Sequence, residues 1–158
     1  MSTNARPEGQ ISTSDVEPVG PRYADELTTA MVWEIGDFLL PRLERAARNH
    51  PSDSEEAITA SALAETVATL ILTLERTITG GTPGHVRIPI GLPQPPTPTE
   101  EGRRARALMR LDRLRDDWNH LCVLAGYWRS APGYHDSRWR KLEFRDTEHE
   151  RWYHQQLS

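Results

Sequence analysis

The chain has 158 residues, 37% of them apolar, with a formal net charge of −4 and a single cysteine. That length suits one domain, and one cysteine excludes an internal disulfide or a cysteine-based zinc cluster. The charge excludes a polycation but is uneven: residues 1–98 hold 7 Arg against 13 acidic side chains, and residues 99–158 hold 12 basic against 10 acidic, which leaves room for a nucleic-acid face.

Residues 1–21 are polar and carry Pro7, Pro18 and Pro21. They read as a disordered leader, with too few apolar groups to offset the entropy of ordering. The first ten residues lack the apolar core of a signal peptide, and no apolar run approaches the 18 residues of a membrane span. A soluble, cytoplasmic protein without a membrane partner is expected. Residues 22–158 then form a single helical domain.

The first helix is predicted from Arg22 or Asp25 to Asn49, because Leu27, Met31, Ile35, Phe38, Leu39 and Leu43 recur at the helical period. Pro41 inside that pattern predicts a kink or break, and Pro51 a stop. Ser52 and Glu55 form a Ser-x-x-Glu capping box for a second helix with the stripe Leu63, Val67, Leu70, Ile71, Leu74 and Ile78, ended by Gly80-Gly81. A short turn between two such helices predicts an antiparallel hairpin.

Residues 82–99 contain six prolines, so an extended or polyproline connection follows. Its apolar piece Val86–Ile90 is expected to lie on the helices. Either Thr97 or Thr99 caps a third, long helix running to about Arg129. Ala107, Leu111, Leu114, Trp118, Leu121, Cys122 and Ala125 share its apolar face, with Leu108 at the edge. Residues 134–158 form an aromatic C-terminal arm, in which Glu143 to Tyr153 suit a short fourth helix with a thin apolar face. The expected fold is all-α: a hairpin closed by the third helix.

Arg103, Arg106, Arg110 and Arg113 step by three, four and three, and so line one side of the third helix. Four guanidinium groups in a row suit a grip on phosphates. They equally suit a solvated face paired with Asp112, Asp116 and Asp117. All basic residues but Lys141 are arginine, a bias that a GC-rich genome also produces. Trp128, Trp139 and Arg140 add interface-forming residue types beyond the helix. The arm either carries a partner there or folds back to complete a small core.

No chemistry-bearing motif accompanies these features. His120 and Cys122 diverge on a helix by about 200°, so no metal site forms there. Gly80–Gly84 lacks the Lys-Ser/Thr of a phosphate loop, no Gly-x-Ser-x-Gly elbow occurs, and Cys122 sits on the apolar face. Neither an enzyme, nor a cofactor, nor a metal is expected.

The runs Leu27–Glu44 (LTTAMVWEIGDFLLPRLE), Leu63–Glu75 (LAETVATLILTLE) and Leu111–Trp128 (LDRLRDDWNHLCVLAGYW) resemble small actinobacterial helical proteins of mobile elements. In length and arginine bias the chain is similar to the replication activators (Pra-type) of Streptomyces integrative conjugative elements. The resemblance implies a regulatory accessory protein that activates replication or excision functions through DNA or regulator contacts, and it supplies no catalytic motif. The Pro-rich insertion and the aromatic arm depart from that pattern. A rival reading is a protein–protein adaptor or homo-oligomeric helical module without nucleic-acid contact. DNA, another regulatory protein and a second copy of the chain are the partners these readings admit.

Overall fold

A computed structural model describes residues 19–80, 90, 91, 93 and 96–158. Among these the protein is all-α. A 3-10 turn at Ala24–Glu26 precedes α1 (Thr29–Arg48), α2 (Glu55–Thr79), α3 (Glu100–Gly126) and α4 (Thr147–Gln156).

α1 starts later than the apolar pattern predicts, because Leu27 is extended. The Thr28 side chain caps the helix instead, accepting from the Met31 N–H. The helix then runs through Pro41 without interruption. Pro41 lies on the exposed side, where solvent can serve the Asp37 carbonyl that it leaves without an intrahelical donor. α2 opens on Ser54 rather than Ser52. The Ser54 hydroxyl accepts from the Ala57 N–H at 3.2 Å and donates to the Pro51 carbonyl at 2.6 Å, so one side chain caps the helix and closes the turn. Gly80 ends α2 in the left-handed conformation, φ +66.

α1 packs along α2, and α3 packs on both. At Gly36 the first two helices are so close that a Cβ would lie 2.4 Å from Ile71 Cδ1. Ile35, Leu39, Ile71, Leu74, Trp118 and Leu121 are the largest side chains that this packing buries completely. α2 contains an 18-residue window apolar enough to cross a membrane by length and composition, and 22% of that window is buried. Threonine and alanine interleave its larger residues, which hides the window when only an unbroken apolar run is sought.

Thr99 caps α3, accepting from the Gly102 N–H at 3.1 Å. The helix ends at Gly126, short of Arg129. Leu114, Trp118, Leu121, Cys122 and Ala125 are buried as the periodicity predicts, but Ala107 is exposed and Leu111 half-buried. α2 ends level with Arg110, and the turns of α3 before that point extend beyond it.

The aromatic arm folds back. Trp139, Leu142 and Phe144 are buried, and the rings of Phe38, Tyr134 and Trp139 meet at centroid separations of 4.7, 5.5 and 6.0 Å. The Trp118 indole N–H donates to the Arg140 carbonyl at 3.0 Å. Asn119 pairs both ways with the Leu142 main chain at 2.7 and 2.9 Å. The end of the expected leader joins this arm. Gly20 and Pro21 are buried, the Gly20 N–H donates to the Ser137 carbonyl at 2.9 Å, and Tyr23 forms a parallel bridge with Phe144. The expected boundary after residue 21 is thereby corrected, since the arm supplies main-chain partners to residues 20–24. The rest of the expected leader, residues 1–18, lies outside the described residues, as do Gly81 and most of the Pro-rich connection. Ile90, expected to lie on the helices, is exposed.

Candidate functional site

The arginine stripe keeps its alignment on α3, but three of its members are engaged. The Arg110 guanidinium caps α2, donating to the Thr77 carbonyl at 2.7 Å and the Ile78 carbonyl at 2.9 Å. It satisfies acceptors that a helix end leaves open, and its charge suits the negative end of the helix dipole. Arg103 pairs with Glu100 at 2.5 Å, and Arg113 approaches Asp117 at 3.9 Å. Among the described residues Arg106 alone of the four has no ion-pair or hydrogen-bond partner.

The other three residues expected at a partner surface are structural. Trp128 is half-buried against the core and Trp139 lies within it. Arg140 turns inward to the chain's own Gly20 and Pro21 carbonyls, at 2.9 and 3.3 Å. The core takes up these two tryptophans, and main chain crossing it takes up Arg140.

A different surface opens between α3 and α4. An open cleft of about 480 Å³ has Ala107, Leu108 and Leu111 of α3 on one side and His149 and Trp152 of α4 on the other. The Trp152 ring stacks on His149 at 5.9 Å and an interplanar angle of 16°, yet Trp152 remains 55% exposed. Both arginines at the rim are matched: Arg104 by Glu148 at 3.4 Å, and Arg145 by Asp112 at 2.6 Å. Neither leaves a free cation for an anionic ligand.

α4 has no buried residue. The Asp146 side chain caps it, accepting from the His149 N–H at 2.7 Å. Glu150 tethers it to the N-terminal strap by accepting from the Tyr23 hydroxyl and the Arg22 guanidinium. The Tyr23 bond, with Arg22 beside it, holds the Glu150 carboxyl below the usual glutamate range, and the same bond raises the Tyr23 hydroxyl. Burial pushes the Cys122 thiol up to about 12, so it is a protonated core group and no thiolate nucleophile.

Sequence periodicity points only faintly to this cleft. Leu108 falls at the edge of an apolar face and α4 has a thin one; no local signal brings the two together. Neither a protein-family model, nor a curated protein, nor a solved structure matches the chain.

Proposed function

We propose that this chain is a protein-docking module, an adaptor whose cleft between α3 and α4 receives the apolar side of an amphipathic helix from a protein partner. One observation carries the reading: the walls of the cleft are apolar and unfilled, while the charges around it are already paired. Leu108, on the turns of α3 that extend past α2, and Trp152, on a helix with no buried residue, line the open cleft. A ten-residue helix without buried side chains is marginal in water, and a third helix laid between α3 and α4 would give it the packing it lacks.

The matched rim argues against a polyanion, which binds by displacing counterions from phosphates with free cations. On this reading an activating role in a mobile element, the expectation attached to the resemblance, is exerted through a regulator protein and not through DNA.

The test is selection of amphipathic helical peptides from a displayed library, followed by titration against the wild type, Leu108→Asp and Arg106→Glu. Loss of one leucine anchor is worth about 1.5–3 kcal/mol, or at least about tenfold in affinity. Binding should fall by that factor in Leu108→Asp and stay unchanged in Arg106→Glu. Duplex DNA bound with a steep salt slope, and weakened by Arg106→Glu, would overturn the proposal in favour of direct DNA contact.

A further inference from the structure

α2 carries a separate unpartnered surface. On the side turned away from the core, Ile58, Ala62, Glu65, Thr69, Leu72 and Arg76 are all exposed. They follow at steps of four, three, four, three and four, the spacing of a helix–helix seam. Leu72 is 46% exposed and Ile58 57%. Trp33 of α1 flanks the same stripe, its indole N–H donating to Glu75 at 3.3 Å. Of the apolar window of this helix, 22% is buried in the monomer.

Two opposite charges interrupt the stripe. Glu65 and Arg76 have no ion-pair partner among the described residues. They lie on the same side of one helix about 16 Å apart, too far to meet within a chain. They stand symmetrically about the Thr69–Leu72 step, toward the C-terminal end of the stripe.

We infer that α2 pairs with α2 of a second copy of this chain, antiparallel about a two-fold axis. Glu65 of each copy then meets Arg76 of the other, and Leu72 of each packs on Thr69 of the other beside the axis. The same register sets Ala62 on Thr79, a small-on-small layer that lets the helices approach. A face that contacts itself must be self-complementary, and this one is in both charge and size. Of the hydroxyls on and beside this face, Thr66, Thr77 and Thr79 donate to the carbonyls of Ala62, Thr73 and Glu75 in their own helix, at 2.9, 2.7 and 2.9 Å, so covering these three leaves no donor orphaned, whereas the Thr69 hydroxyl beside the axis has no partner among the described residues. A bilayer is the poorer occupant, since Glu65 near the middle of the helix would lie unpaired in hydrocarbon.

The experiment is sedimentation velocity of the full chain over a concentration series, with Glu65→Arg, Arg76→Glu, their combination, and Leu72→Asp. All these side chains are exposed, so circular dichroism should report unchanged helix content. The wild type should dimerise. Each single charge reversal should weaken the dimer at least about tenfold by setting like charges opposite, the double reversal should restore it, and Leu72→Asp should abolish it. The inference is overturned by a wild type that stays monomeric at its highest soluble concentration. Single reversals that dimerise as well as the wild type, or a double reversal that fails to recover, overturn it too. Flotation of the monomer with lipid vesicles would assign the face to a membrane instead.

Discussion

Replacing Gly20 with alanine should unseat the N-terminal strap from the C-terminal arm. A Cβ at Gly20 would lie 2.0 Å from the Arg138 carbonyl oxygen and 2.6 Å from its carbon. Both are main-chain atoms, so no change of rotamer relieves the clash. Moving the strap forfeits the Gly20–Ser137 bond of 2.9 Å and the Arg140 bonds to Gly20 and Pro21. The main-chain bond is worth about 1 kcal/mol, and each guanidinium bond about as much once the exposure of Arg140 is allowed for. The expected loss is about 3 kcal/mol, a fall in Tm of about 6–12 °C for a domain of this size.

Gly126→Ala is the control, because nothing lies within 4 Å of its added Cβ. As the last residue of α3 it should gain up to about 1 kcal/mol from helix propensity. Thermal unfolding of the two variants, followed by far-ultraviolet circular dichroism and tryptophan fluorescence, compares a blocked glycine with an open one. If Gly20→Ala melts within about 2 °C of Gly126→Ala, less than 1 kcal/mol separates them and the docking of Gly20 against Arg138 is wrong.

Arg110→Glu should cost about 1–2 kcal/mol in urea unfolding by uncapping α2, whereas Arg106→Glu should stay within about 0.5 kcal/mol; equal effects would remove the capping role. Trp118→Phe should cost about 2 kcal/mol more than Trp139→Phe, because the first removes the bond to the Arg140 carbonyl while the second removes a buried indole N–H that has no partner. Equal losses in the two variants would contradict that placement. Glu150→Gln should flatten the acid limb of stability, measured by urea unfolding at stepped pH. The Tyr23 bond and Arg22 lower the Glu150 pKa, so its contribution is complete above the ordinary value of 4.5 and is lost as pH falls through the lower folded value; an unchanged acid limb would refute the tether.

The regular part of this fold is legible in the sequence because it is periodic. Val67, Ile71 and Leu74 of α2, and Leu114, Trp118 and Leu121 of α3, are buried where a 3.6-residue period places them. The choice between neighbouring caps is not legible to the same degree. Ser52 and Ser54 both fit the local pattern, and the decision falls to Ser54 because its hydroxyl also reaches the Pro51 carbonyl. Ala107 fails for a tertiary reason, since its period is right but the helices it would pack against end at its level. The strap is harder still. Nothing in the residues around Gly20 announces a main-chain partner at Ser137, and a polar, Pro-containing segment reads as leader until the arm is in place. The cleft depends in the same way on an approach of α3 and α4 that neither helix encodes alone.

Arginine spacing does not by itself tell which arginines the fold engages, for a related reason. Arg42, Arg110 and Arg140 each donate to two main-chain carbonyls, at Phe38 and Pro132, Thr77 and Ile78, and Gly20 and Pro21. Apart from Phe38, which lies inside α1, these are places where a helix ends or irregular chain crosses another element, and acceptors there have no regular partner. A planar fork with five donors can serve two carbonyls at once, which the point charge of lysine does less well. These three arginines are therefore taken up by carbonyls of the chain itself. The fold also leaves apolar groups uncovered: Leu108 and Trp152 at the cleft, Ile58 and Leu72 along α2. A protein surface satisfies such groups; a phosphate backbone does not.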